Sequence, residues 1–157
     1  MRLIPIVPID AARFAPFGSL LEAPDKDPRQ DRAAAVVNTR PGVPANLALV
    51  RSEPYATAMP LRRLERHPHS SQAFLPLSVS AYVVVVAPDA GGVPDEAGLL
   101  AFLVPGGVGL SYHPNAWHAH MVTLDAPGVF AMLVHEDGSD GDCVFARIAP
   151  VELAREG

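Results

Sequence analysis

The sequence predicts an all-β fold, a small barrel or sandwich with one or two short helices at its ends. Three observations predict it. Short apolar segments recur along the chain, and 17 prolines and 12 glycines punctuate them throughout. The run Val83-Val84-Val85-Val86 is continuous and β-branched, which suits a central strand buried on both faces.

Taken in order, Asp10 can cap a short helix through Phe14, stopped near Pro16 and Gly18. Residues 23–45 are rich in Pro, Asp and Arg, and Ala23–Asp31 reads as an exposed connector rather than a lid. Strands are expected at Ala33–Asn38, Asn46–Ser52, Ala58–His67, Gln72–Pro76 and Val79–Ala87. Pro88-Asp89-Ala90-Gly91-Gly92 is a turn, and Pro105-Gly106-Gly107 another. Further strands are expected at Leu99–Val104, Val108–Tyr112, Trp117–Leu124, Val129–His135 and Cys143–Ile148. Pro150 can open a second short helix at the C-terminus.

A chain of 157 residues without a separating linker or internal repeat reads as one domain, residues 1–157, with room for a sizeable core. Hydrophobic residues make up 49% and charged residues 18%, so the chain is globular rather than disordered. A net charge of −5 without any Lys/Arg cluster argues against nucleic acid as a partner. The single lysine, Lys26, leaves little scope for Schiff-base chemistry. One cysteine, Cys143, excludes an intramolecular disulfide and fits a reducing compartment. The N-terminus has no long apolar run of the signal-peptide kind, and Ala81–Ala87 is too short to span a bilayer. The expected setting is cytoplasmic, with no membrane partner.

The chemistry concentrates in two segments. Tyr112-His113-Pro114-Asn115-Ala116-Trp117-His118-Ala119-His120 holds three of the six histidines and the only tryptophan, and Glu65-Arg66-His67-Pro68-His69-Ser70-Ser71-Gln72 holds two more. On a strand, residues at i and i+2 share a face. Glu65, His67 and His69 would then face one way and Arg66 and Pro68 the other. His118 and His120 would share a face with Ala116, opposite Trp117. Imidazole can carry a proton or ligate a metal near neutral pH. A lone strand histidine is more often surface or hydrogen-bonded core, which is how His135 reads. Two clusters together point to a site. Trp117 reads as packing beneath it, Arg66 as an outer-face residue in an ion pair or subunit contact, and His113, before the turn-prone Pro114-Asn115, as a residue at the mouth.

The spacing resembles the two motifs of the cupin superfamily. His67-x-His69 with Gln72 stands for the first, and Pro114-Asn115-Ala116-Trp117-His118 for the second, with Asn115 able to take the left-handed conformation usual for glycine. The resemblance implies a cupin-like barrel and a metal set of His67, His69, Gln72 and His118. These donors suit nickel, zinc or iron.

A closer resemblance is to the ureidoglycolate lyase family. It is carried by Glu65-Arg66-His67-Pro68, Gln72-Ala73-Phe74-Leu75-Pro76, Val83–Ala87, Leu100-Ala101-Phe102, Tyr112-His113, Asn115-x-Trp117-His118, Gly138-Ser139-Asp140 with Cys143, and the opening Ile9–Gly18. It covers most of the chain and is weakest over residues 23–60. The family implies a cupin-type barrel, a homodimer, and release of urea from ureidoglycolate to leave glyoxylate in allantoin and purine breakdown. A divalent metal, nickel in particular, is associated with some members. The chain departs from the family at Ala119-His120, at His135-Glu136-Asp137-Gly138, where an arginine is missing, and at His69.

Elimination of urea needs a base on the C2 hydroxyl, a proton for the departing nitrogen, and a hold on the carboxylate. These roles fall to His118 as base or metal ligand, His67 and Gln72 as holders of the carboxylate or a metal, Glu65 as imidazole orienter or proton carrier, Tyr112 as hydrogen-bond donor to the carboxylate, and His113 at the substrate's entry. Two other readings compete. A different metal-dependent cupin enzyme, an isomerase or dioxygenase, would use the additional His69 and His120. A non-catalytic cupin would bind a small carboxylate without turning it over.

Overall fold

The computed structural model describes residues 1–56 and 59–155. Strands dominate: β1 (Arg2–Pro8), β2 (Gly18–Leu21), β3 (Ala45–Ser52), β4 (Leu61–Arg66), β5 (Gln72–Ser78), β6 (Ala81–Ala87), β7 (Asp89–Ala90), β8 (Val93–Pro94), β9 (Leu100–Pro105), β10 (Gly109–Tyr112), β11 (Trp117–His118), β12 (Val122–Thr123), β13 (Gly128–His135) and β14 (Val144–Arg155). Among the described residues there is one α-helix, α1 (Ala11–Phe14), and one 3-10 turn, Glu96–Gly98. The Asp10 side chain caps α1 by accepting from the Arg13 amide at 2.8 Å, the cap expected from the sequence.

Six strands close into a barrel in the order β11-β4-β14-β1-β9-β6, with β6 pairing back to β11 and β12 added on β6. β1 runs parallel to both β14 and β9; the other barrel pairs are antiparallel. A second, antiparallel sheet of five strands, β2-β10-β5-β13-β3, packs on the outside of this barrel.

β6 explains the two-layer arrangement. Val83, Val85 and Ala87 belong to one apolar cluster with Ile4, Ile6, Leu64, Trp117 and Leu153, while Tyr82, Val84 and Val86 belong to another with Phe74, Phe102, Leu110, Tyr112 and Phe130. Alternation along a strand sends successive side chains to opposite faces, so the valine run is apolar throughout because both faces are buried. Gly18 lets β2 lie close against β10, where a side chain would collide with the Ser111 carbonyl. At the β7–β8 hairpin, Gly91 and Gly92 take positive φ, as the glycine-rich turn requires.

Four expectations are corrected. No helix opens at Pro150: β14 continues to Arg155, and Val151–Arg155 pair with β1. The register between β14 and β4 shifts between Arg147 and Val151, an irregularity of the kind that accommodates a proline without a ladder donor. Ala33–Asn38 is not a strand. It contributes one bridge, Asn38 to Ser70, and otherwise hangs on side chains, with the Val37 amide donating to Ser71 Oγ at 2.9 Å. The expected strand Trp117–Leu124 is interrupted between β11 and β12. The strand expected to start at Ala58 begins at Leu61, and Ala58 itself lies outside the described residues. β1 and β2 were not anticipated; Pro5 and Pro8 obscure β1, whose Ile4 and Ile6 are nevertheless buried in the barrel.

Candidate active site

The barrel and the second sheet diverge around a cavity of about 190 Å3, lined by Val50, Glu65, His67, Gln72, Phe74, Tyr112, His118, Ala119, His120, Met121 and Met132. Its size is below the roughly 300–1,000 Å3 of sites for drug-sized ligands and suits a small metabolite. Between β11 and β12, Ala119, His120 and Met121 line the cavity, while the Ala119 amide still donates to the Val85 carbonyl at 2.9 Å. A second cavity, about 420 Å3, opens at the barrel mouth and shares Glu65, Ala119 and His120 with the first.

β11 is a two-residue strand wedged between β4 and β6, with His118 opposite Glu65 on one side and Val86 on the other. The turn before it is set by Asn115, at φ 71°, whose amide donates to the His67 carbonyl at 2.8 Å. Trp117 points into the barrel core and donates from Nε1 to Asp89 at 2.8 Å; the Arg66 guanidinium stacks on its ring at 4.4 Å and pairs with Asp89 at 3.0 Å. The Trp117 hydrogen bond, then the Gly92 amide and Arg66, hold the Asp89 carboxyl below its ordinary range. Trp117 and Arg66 are therefore the foundation of β11, on the side away from His118.

On the cavity side, the His118 ring stacks on Tyr112 at 4.0 Å between centroids and on His67 at 5.5 Å. Each imidazole has a backbone carbonyl opposite Nδ1: Ala116 at 2.9 Å for His118 and Asp142 at 3.0 Å for His67. A carbonyl only accepts, so each Nδ1 carries the proton and each Nε2 keeps its lone pair. Both Nε2 atoms are buried without a hydrogen-bond partner among the described residues, and so are Gln72 Oε1 and the Tyr112 hydroxyl. Buried polar groups are rarely left unpaired, and four around one small cavity mark where a polar ligand belongs. Gln72 Nε2 donates to Met132 Sδ at 3.2 Å, which turns its Oε1 the other way.

Electrostatics give these groups definite states. Burial, only partly opposed by the Ala116 bond and by Glu65, pulls the His118 pKa down to about 4, so the ring is neutral at pH 7. Glu65 Oε1 lies 3.7 Å from His118 Nε2, close enough to stabilise an imidazolium once one forms. Burial, reinforced by Tyr82 and Glu65, drives the Tyr112 pKa well above the usual phenol value and keeps its proton on.

A possible metal set differs from the one expected. Glu65, His67 and Cys143 offer ligand atoms that all lie within 4.8 Å of one another. Burial, then the charge and hydrogen bond of Glu65, push the Cys143 thiol up to about 12, and Sγ donates to Glu65 Oε2 at 3.4 Å. Oxygen, nitrogen and sulfur donors fit a borderline ion such as nickel or zinc better than magnesium or calcium, and the orphaned His67 Nε2 fits the same assignment. His69 is not part of it: its Nδ1 meets Thr39 Oγ1 at 2.9 Å, outside the cavity. β4 ends at Arg66 and Pro68-His69 form a turn, so the i, i+2 relation with His67 fails. His113 also lies elsewhere, exposed, with Nε2 against the Ala15 carbonyl at 3.0 Å. The structure thus brings Glu65, His67, Gln72, Tyr112 and His118 together and leaves out His69 and His113. Cys143, on the loop before β14, could not be picked out by histidine spacing.

The profile of the ureidoglycolate lyase family matches residues 1–152. Ureidoglycolate lyase 2 of Rhizobium meliloti is 35% identical, over 83% of this chain and 84% of its own. The ureidoglycolate lyase of Pseudomonas syringae pv. tomato is 34% identical over 91% and 88%, and that of Pseudomonas aeruginosa is 34% identical over 91% and 89%. By residues and by extent of match, the chain belongs to the ureidoglycolate lyase family.

Proposed function

We propose that the protein is a ureidoglycolate lyase, releasing urea from ureidoglycolate to leave glyoxylate. The observation that carries this reading is the convergence of two lone-pair imidazole nitrogens, an un-ionised phenol and an amide oxygen, all without partners, on one small cavity, in a chain of this family. Isomerase, dioxygenase and purely binding readings are not favoured, since neither His69 nor an exposed His120 adds a buried ligand.

The elimination maps onto the groups present. His118 Nε2, neutral and unprotonated, takes the C2 hydroxyl proton while Glu65 stabilises the cation that results. The C–O bond becomes a carbonyl, the C–N bond breaks, and the nitrogen of urea takes a proton. Tyr112, which holds its proton firmly, hydrogen-bonds the substrate without ionising, and Gln72 Oε1 accepts from a urea N–H. The proton gained by His118 returns to the departing nitrogen, so the site ends as it began.

Among the described residues, the cavity lining holds the carboxylate of Glu65 and no lysine or arginine. A carboxylate substrate there calls for positive charge. Glu65, His67 and Cys143 would hold a divalent cation, nickel by family resemblance, which would clamp the carboxylate and lower the hydroxyl pKa.

Three further readings accompany this one. Residues 1–157 act as one unit in allantoin and purine breakdown. The single, half-buried thiol suits the cytoplasm, and no described helix is long and apolar enough to cross a membrane. A second copy covers the outer face of the five-stranded sheet, where Leu47 and Leu49 of β3 are 72% and 73% exposed and Leu75 and Leu77 of β5 lie beyond β13. Leu49, Ala131 and Leu75 align across the three strands, so the apolar positions are contiguous.

The test is incubation of the purified protein with ureidoglycolate, scoring urea and glyoxylate, with chelator and with added nickel. Equimolar release of both products supports the reading; no release under either condition removes it. Metal that stays bound at equal stoichiometry in Cys143→Ser and His67→Ala would remove the proposed ligand set.

A further inference from the structure

His67 faces the cavity with a lone pair only because the Asp142 carbonyl occupies its other nitrogen. What fixes that carbonyl lies wholly outside the cavity. The Asp142 carboxylate accepts from the amides of Asp137 at 3.2 Å and Gly138 at 2.7 Å, its own amide donates to the Ser139 carbonyl at 3.1 Å, and Gly138 closes the turn at φ 83°. Arg40 Nη2 then clamps the same carboxylate at 2.7 Å, while Nη1 reaches Ser139 Oγ at 3.4 Å. The pair is sheltered, with side chains 20% and 10% exposed, and is a charge-assisted bond rather than a surface contact.

Arg40 is delivered by a strap that runs beside the first histidine segment. The Val37 amide donates to Ser71 Oγ at 2.9 Å, the Thr39 amide to the His69 carbonyl at 2.9 Å, and the Arg40 amide to Asn38 Oδ1 at 3.1 Å. Thr39 Oγ1 also meets His69 Nδ1. His69 thus anchors the strap that carries Arg40.

We propose that Arg40 and the Asp142 carboxylate are positioning residues that fix the tautomer and orientation of His67. With the clamp in place, Nδ1–H faces the Asp142 carbonyl and Nε2 presents its lone pair to the cavity. Without it, the carbonyl drifts and the Nε2–H tautomer becomes competitive, and that tautomer can neither hold a cation nor accept a hydrogen bond from substrate. Outer partners of a ligating or catalytic histidine act in this way generally. The effect on turnover rests on the ureidoglycolate lyase reading; the effect on the tautomer does not.

The experiment uses the full chain and the variants Arg40→Ala, Arg40→Lys and Asp142→Asn. Long-range nitrogen–proton NMR of the His67 ring reads the tautomer, and steady-state kinetics with ureidoglycolate read kcat and KM. The expected result is loss of the pure Nδ1–H signature in Arg40→Ala, a kcat roughly 10–100-fold lower with KM little changed, and recovery of most of both in Arg40→Lys. An unchanged tautomer in folded Arg40→Ala overturns the proposal, and so does a fall in kcat without a tautomer change. Should Arg40→Ala fail to fold, Asp142→Asn and Arg40→Lys decide it by the same spectrum, which must shift in the first and not in the second. If the wild type turns over no ureidoglycolate, the spectrum alone decides the clamp.

Discussion

At the scale of single residues, His118 combines two demands that pull apart. Burial keeps its ring neutral and its lone pair free, with the pKa near 4, yet the reaction asks it to accept a proton. Glu65 at 3.7 Å reconciles them, because its charge favours the imidazolium only when the proton arrives. The same burial has a consequence for stability. The folded pKa lies below the unfolded value of about 6.5, so protonation favours the unfolded chain. The contribution is present in full above pH about 6.5 and is lost as pH falls through about 4. By linkage the loss amounts to about 3 kcal/mol. Urea unfolding at roughly pH 7.5 and roughly pH 4.5 checks this. The wild type is expected to lose more stability on acidification than His118→Gln; equal losses contradict the assignment. Histidine clustering singled out two segments whose His67 and His118 line one cavity, and Gln72 and Tyr112, drawn in by resemblance, line it too. His69 was misplaced because alternation holds only inside a strand, and the turn at Pro68-His69 ends it.

At the scale of elements, the short β11 matters most, since it carries His118 on one side and Trp117 on the other. Its approach depends on Asn115 at φ 71°. Replacing Asn115 with glycine is expected to leave stability nearly unchanged. Asn115→Val places a β-branched residue in the left-handed region and is expected to cost about 1–2 kcal/mol. Thermal or urea unfolding of the two variants measures the difference, and equal stability would show that the turn does not depend on this conformation. The valine run of β6 and the cap at Asp10 were legible because each is a local signal. The start of the C-terminal strand was legible at Cys143–Ile148, but its continuation to Arg155 was not. Pro150 opens helices in isolation, but pairing of Val151–Arg155 with β1 and a register shift beside the proline override that preference. Long-range partners of this kind leave no mark in local sequence.

At the scale of the whole molecule, the closed barrel removes edges from one sheet while the other ends at β3 with leucines exposed. A second copy on that face predicts that the double variant Leu47→Glu, Leu49→Glu sediments as a monomer and the wild type as a dimer. A monomeric wild type would remove the reading. The all-β class was legible from punctuation and β-branching alone. The division into a barrel and a covering sheet was not, because β1 and β2, which complete the two sheets, fall in a proline-rich opening segment.

In the proposed reading, the cavity between these layers performs the elimination. The most direct measurement is ureidoglycolate turnover by the wild type beside a folded His118→Gln variant, with urea and glyoxylate both quantified. Equimolar products are expected from the wild type, and a kcat lower by roughly 100-fold or more in the variant, the scale on which a positioned general base contributes. Equal turnover by the two proteins would contradict it.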